Sequence, residues 1–260
     1  MGHRAPRCRC NRNSLDGSIH RGCSVKSKTN GIENMMDQIS RRILWEQPGL
    51  QVWEVTIEDD EAVLLDAANS LFDKTDLDRV GSYCSSQARK NFIGTRIALR
   101  QVAAQIMAVD PASFTIYRSQ CSNCNGRHGR PEFSKPGEPH FSLSHSENGA
   151  LVAFSESAIG VDIQKMQPLD RFREARKRLH PDERRELDAV APQSQTAAFA
   201  QLWTRKESYL KAIGSGLCRS AAQDYVGYRF LNDPDSWSIH DLAVGDNYRA
   251  AVTFARSLKY

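Results

Sequence analysis

Apolar residues recur along this chain with two periods, and the switches between them mark its elements. In "LQVWEVTI", Leu50 to Ile57, β-branched and aromatic residues crowd a run of strand length, which predicts a strand and the start of the ordered chain. The acidic stretch "EDDEAVLLDAANSLF" predicts a helix. Beyond it Phe92, Arg96, Leu99, Val102, Ala103 and Ile106 fall at helical spacing, so a long amphipathic helix should end before Pro111. "SFTIYRS" alternates like a strand, and residues 120–139 form a polar loop rich in glycine and proline. Three short strands are then predicted from "HFSLSHS", "ALVAFSES" and "IGVDIQK". A charged helix, "RFREARKRLHPDERRELDAV", and a second long helix, "TAAFAQLWTRKESYLKAIG", come next. "DYVGYRFL", "SWSIHDL" and "YRAAVTFA" read as closing strands.

Strand, long helix and further strands thus occur twice, on either side of a break at residues 155–157. The expected fold is α+β, a pseudo-twofold pair of similar halves spanning 46–156 and 157–260, without a literal sequence repeat. Residues 1–45 are expected to form a disordered basic extension. The first 42 hold nine Lys/Arg against three Asp/Glu and show no period, so they cannot bury enough apolar surface to offset their ordering entropy. A nucleic-acid arm, an organelle presequence, or an upstream start codon ahead of Met35 or Met36 are alternative explanations. Aromatics interleaved with basic residues are missing there, so no nucleic-acid partner is expected.

Composition narrows the class only slightly. The net charge of +4 is mild and compatible with an anionic substrate or an acidic protein partner. No apolar run approaches the roughly 18 residues of a membrane span, so no membrane association is expected. Seven cysteines, an odd number scattered along the chain, argue against a disulfide framework and for a reducing, cytoplasmic setting.

Candidate chemistry clusters in the second half of the chain. In "GVDIQK" Asp162 and Gln164 stand at i and i+2 and share one face of a strand, where an oxygen pair suits Mg²⁺; alone, the same residues read more readily as an exposed strand end. In "WTRKESYLKAIGSGL" Glu207 and Lys211 stand at i and i+4 on one helix face, and Gly214 is placed to end the helix in a left-handed conformation. Such a pair is commonly a solvated salt bridge, and only the company of Trp203, Lys206, Ser208 and two glycines raises another reading. "GRHGRP" offers Arg127, His128 and Arg130 for an anion, and "SLSHS" offers the Ser144 hydroxyl and a protonated His145. Cys121 and Cys124, with His128 and Cys218 available, raise a zinc question, but no second ligand pair stands at the usual spacing, so they read as a reduced pair in a turn, with zinc the alternative. Nucleotide-binding glycine loops and a serine-nucleophile elbow are absent.

Taken in order, "HGRP", "FSLSHS", "GVDIQK" and "WTRKESYLKAIGSGL" resemble a Sfp-type 4′-phosphopantetheinyl transferase, and the likeness runs from about Trp53 to the C-terminus. The resemblance implies a two-half enzyme that clamps coenzyme A. Such an enzyme transfers the phosphopantetheine arm to a serine of an apo acyl or peptidyl carrier protein and releases adenosine 3′,5′-bisphosphate. Carried over by position, Asp162, Glu207 and the residue at Gln164 would hold Mg²⁺. Lys211 would contact phosphate, and Arg130, Ser144 and His145 would grip the adenosine end, with Arg127 and His128 beside them. Glu207 is the expected base, and a monomer is expected. Many relatives carry an acid where this chain has Gln164, which implies weaker metal binding or, alternatively, a degenerate module that binds carrier protein or coenzyme A without transfer. Ser142, where asparagine is common, is a smaller departure.

Overall fold

The computed structural model describes residues 39–256, apart from 58, 59, 136, 230 and 235. The expected extension therefore falls outside the described residues up to position 38. Its last part does not match expectation, because β1, Ser40–Gln47, precedes β2, Leu50–Thr56, and pairs with it antiparallel through a Pro48-Gly49 turn. β1 is an edge strand with charged, half-exposed side chains, so it lacks the alternation that marks a half-buried strand.

Three helices follow. α1, Glu61–Leu71, is capped by Asp60, and α2, Lys74–Gly81, by Asp73; each carboxylate accepts a first-turn N–H. α2 was not foreseen from the sequence. α3, Ser86–Met107, is the expected long helix. Within the region assigned to loop, β4, Pro131–Phe133, pairs with β3, Ile116–Arg118. The hairpin of β5, His140–Ser146, and β6, Gly149–Ser155, completes a four-stranded sheet in the order β1-β2-β6-β5.

After the expected break at 155–157, β7, Ile159–Lys165, joins β9, Tyr248–Ala255, and β8, Trp237–Leu242, in a second sheet of order β7-β9-β8. The charged stretch 171–190 is not one helix. A short turn, Arg173–Arg176, is separated from α4, Pro181–Asp188, because Pro181 disfavours helical backbone before it while suiting the first position of a new helix. His180 and Glu183 close a capping box there. α5, Gln195–Ala212, ends at Ile213, and Gly214 takes the left-handed conformation expected of it (φ +78°).

In the expected strand "DYVGYRFL", residues 224–229 are irregular. The backbone N–H groups at Val226 and Tyr228 donate to the carboxylates of Glu183 and Glu186 rather than to a ladder, which satisfies a buried segment without a strand partner.

The layers run helix, sheet, sheet, helix. One face of the first sheet, with Val55, Ala150, Val152 and Phe154, packs on α1 and α3. Its other face, with Val52, Leu151 and Ala153, meets Val161 and Ile163 of β7 and Ala250 and Val252 of β9. α5 covers the far side of the second sheet. The fold is thus α+β, as expected.

The two sheets also meet edge to edge, at β5 and β7, without a backbone ladder. Instead, alternate serine hydroxyls of β5 accept from alternate N–H groups of β7: Ser142 from Val161 at 3.0 Å, Ser144 from Ile163 at 3.2 Å and Ser146 from Lys165 at 3.0 Å. The period of two in a strand puts all three hydroxyls on one side, so the "SLSHS" pattern reads as a seam.

Candidate active site

β7 faces two ways. Its odd positions enter the core between the sheets, and its even positions, Gly160, Asp162 and Gln164, share the opposite face, toward α5. At Gly160 the helix comes so close that a Cβ would lie 2.0 Å from the Ser208 carbonyl oxygen. Glycine here is a spacing device that lets α5 settle against β7 and brings its side chains to Asp162.

The Lys211 ammonium donates to Asp162 Oδ1 at 2.7 Å, to the Val161 carbonyl at 2.9 Å and to the Leu143 carbonyl at 3.4 Å. Its partner is therefore Asp162, not Glu207 one turn away, and the surface salt bridge that i,i+4 spacing suggests does not form. Ser144 donates to the same Asp162 oxygen at 2.7 Å, so its hydroxyl holds the carboxylate rather than facing an external phosphate.

Glu207 is partly buried beside this pair. Burial first, then the Asp162 charge, push its pKa up to about 7, with Lys211 and Arg178 opposing. Two carboxylates from different elements thus converge where neither is well solvated. That is the condition a divalent cation relieves, and an oxygen-only donor set suits Mg²⁺. Gln164 adds no recorded contact to this group, since its amide nitrogen donates to the Lys165 carbonyl at 3.0 Å.

A cavity of about 250 Å³ opens next to Lys211, which lines it with His145, Arg130 and three arginines that sequence reading missed: Arg79, Arg96 and Arg118. Arg96 carried a legible signal. It occupies an apolar position in the α3 stripe, and a cation there must be paired; Asp76 accepts from its Nη2 at 3.0 Å. Arg79 and Arg118 stand outside any such pattern. The His145 ring stays open to cavity solvent, yet surrounding protein pushes its pKa below the ordinary value, helped by the charges of Lys211 and Arg79. The expected protonated imidazole is thus the disfavoured form here.

Arg130 lines the cavity but also caps α5, donating to the Ala212 carbonyl at 3.1 Å, and its Nε donates to Glu132 at 2.8 Å. Arg127 is exposed and outside the cavity lining. His128 borders the cavity while its Nε2 lies 3.0 Å from Cys124 Sγ. Lys206, which the motif made a candidate, is fully buried and pairs with buried Glu183 at 2.7 Å, a structural role.

An acid–lysine cluster at the seam of two sheets, opening on a cation-lined cavity, defines an α+β protein suited to a polyanionic ligand. Residues 158–256, which carry Asp162, Glu207 and Lys211, match the 4'-phosphopantetheinyl transferase superfamily. A 4'-phosphopantetheinyl transferase of Bacillus subtilis is 32% identical over 151 residues, which are 58% of this chain and 62% of the relative. The transferase HetI of Nostoc sp. is 28% identical over 217 residues, 79% of this chain and 87% of the relative. Sfp of Bacillus subtilis is 29% identical over 160 residues, 58% of this chain and 70% of the relative. Among the described residues, no helix is long and apolar enough to cross a membrane.

Proposed function

We propose that this protein transfers the 4′-phosphopantetheine arm of coenzyme A to a serine of an apo acyl or peptidyl carrier protein. The observation that carries the reading is the convergence of Asp162 and Glu207 beside Lys211 at the mouth of an arginine-lined cavity. The superfamily match over residues 158–256 and the relatives' names support the same chemistry.

In the reaction the serine oxygen forms a bond to the β-phosphorus of coenzyme A. The bond from that phosphorus to the bridging oxygen breaks, and adenosine 3′,5′-bisphosphate leaves with the electron pair. The serine proton passes to a base, for which Glu207, beside Asp162 and Lys211, is the candidate. Asp162 and Glu207 would hold Mg²⁺, which, when bound, supplies charge neutralisation on the pyrophosphate. Lys211 fixes Asp162 and sets a positive charge at the rim of the cavity. Arg79, Arg96, Arg118 and Arg130 make the cavity attractive to the phosphates of the adenosine end. Both carboxylates and the cavity come from one chain, so a monomer suffices.

The test is intact-mass measurement of a panel of apo carrier proteins incubated with the protein, coenzyme A and Mg²⁺. A gain of one phosphopantetheine, lost with Glu207→Ala or chelator, is the expected result. Coenzyme A binding without a gain on any carrier would make this a non-transferring module.

A further inference from the structure

The polar loop between β3 and β4 holds a cluster outside the acid–lysine site. One thiol sulfur from each of Cys121, Cys124 and Cys218 and one His128 ring nitrogen all lie within 4.8 Å of one another. In sequence C-x₂-C-x₃-H lacks a second ligand pair at the usual spacing; the fourth group, Cys218, comes from the turn after α5, some 90 residues on, and the fold brings it there. We infer that these four side chains bind a structural zinc ion that clasps the β3–β4 loop to the end of α5.

Three observations support the assignment. The first is the donor set: three thiolates and an imidazole are soft and borderline ligands that select zinc, and four protein ligands leave no open position, as in a structural site. The second is spacing. Zinc–sulfur and zinc–nitrogen bonds of about 2.3 and 2.0 Å place tetrahedral ligand atoms about 3.5–3.8 Å apart, within the span of the cluster. The third is the turn around the sulfurs. Asn125 takes a left-handed conformation (φ +58°) and its N–H returns to the Cys121 carbonyl at 2.9 Å. This aims the N–H groups of Asn123 and Cys124 at Cys121 Sγ and that of Gly126 at Cys124 Sγ. Such donors stabilise thiolates.

The protein already ties the two segments together around this point. Ser122 Oγ donates to the Ile213 carbonyl at 3.0 Å, and Asn123 Nδ2 to the Cys218 carbonyl at 3.2 Å. With Arg130 on Ala212, the loop satisfies carbonyls that α5 leaves open at its C-terminus. His128, Gly129 and Arg130 on one segment and Gly214 and Gly216 on the other line the same cavity. A metal at the clasp would therefore fix two walls of that cavity relative to one another. It also gives His128 a role other than anion binding. The assignment does not depend on the transferase reading.

The full chain, produced with zinc and purified under reducing conditions, is analysed by elemental mass spectrometry, native mass spectrometry and thiol titration. About one zinc per chain is expected. It should persist in Cys8→Ser/Cys10→Ser/Cys23→Ser and in Cys84→Ser, and be lost in Cys124→Ser/Cys218→Ser. Cobalt substitution of the wild type should give the visible bands of tetrahedral thiolate coordination, a readout that needs no variant to fold. Chelation should lower the melting temperature of the wild type. Three outcomes would overturn the assignment: metal-free protein with all thiols titrating, a disulfide among Cys121, Cys124 and Cys218, or zinc undiminished in Cys124→Ser/Cys218→Ser.

Discussion

Replacing Glu207 with glutamine tests the electrostatic core of the site without assuming its reaction. A carboxyl whose folded-state pKa lies above its unfolded value keeps its proton in the fold over the interval between the two. Its contribution is greatest below the unfolded pKa and is lost as pH rises through the folded one. For Glu207 that interval runs from 4.5 to about 7. At about 1.4 kcal/mol per pH unit, ionising it in place costs about 3 kcal/mol, an upper bound because the group keeps some contact with solvent. Glutamine has the same shape and no charge to develop. Between pH 5 and pH 8 in chelator, the wild-type melting temperature should therefore fall by several degrees more than that of Glu207→Gln, at about 2–4 °C per kcal/mol for a chain of this size. Added Mg²⁺ should restore the wild type at pH 8 and leave the variant nearly unmoved, because only the ionised pair attracts the cation. Thermal unfolding followed by circular dichroism, with and without Mg²⁺, reads all four conditions. Parallel pH profiles for the two proteins, or equal stabilisation of both by Mg²⁺, would refute the reasoning.

Other outcomes follow from single contacts. Gly160→Ala forces a methyl against the Ser208 carbonyl and should destabilise by at least about 1–3 kcal/mol in urea unfolding, since backbone on both sides must move. Lys206→Met leaves the buried Glu183 carboxylate without its cation and should cost about 3–5 kcal/mol by the same measurement. Ser144→Ala removes the donor to Asp162 and the acceptor for the Ile163 N–H, a loss of about 1–3 kcal/mol that Ser144→Thr should partly recover. In a nuclear magnetic resonance titration, His145 should show a pKa below its ordinary value in the free protein, and adenosine 3′,5′-bisphosphate should raise it.

Much of this fold is visible in its apolar positions, because α3, α5, β6 and β7 lie deep enough that most of their positions are buried. The failures share a cause. β1 sits at an edge where both faces are half exposed, and α2 is too short for a period to develop. "DYVGYRFL" has the composition of a strand, but Glu183 and Glu186 take the backbone donors a neighbouring strand would have used. Composition reports that a segment is buried; it does not report which group satisfies its N–H.

The same distinction governs the site. Asp162, Glu207 and Lys211 are legible as residues because each stands in a dense motif, yet the partnership among them is not. Helical spacing pairs Glu207 with Lys211, whereas the structure gives Lys211 to Asp162. What decides the matter is Gly160, two residues before Asp162 on the same face of β7. By removing the side chain that would hold α5 away, it lets the ammonium reach across to the strand and leaves Glu207 to face Asp162 with little compensation. A local pairing along a helix is worth about 0.3–0.5 kcal/mol, too little to compete with three acceptors already in place on β7 and β5. The uncompensated carboxylate is then a property of the packing, and it is this property, rather than the motif, that makes the site suited to a cation.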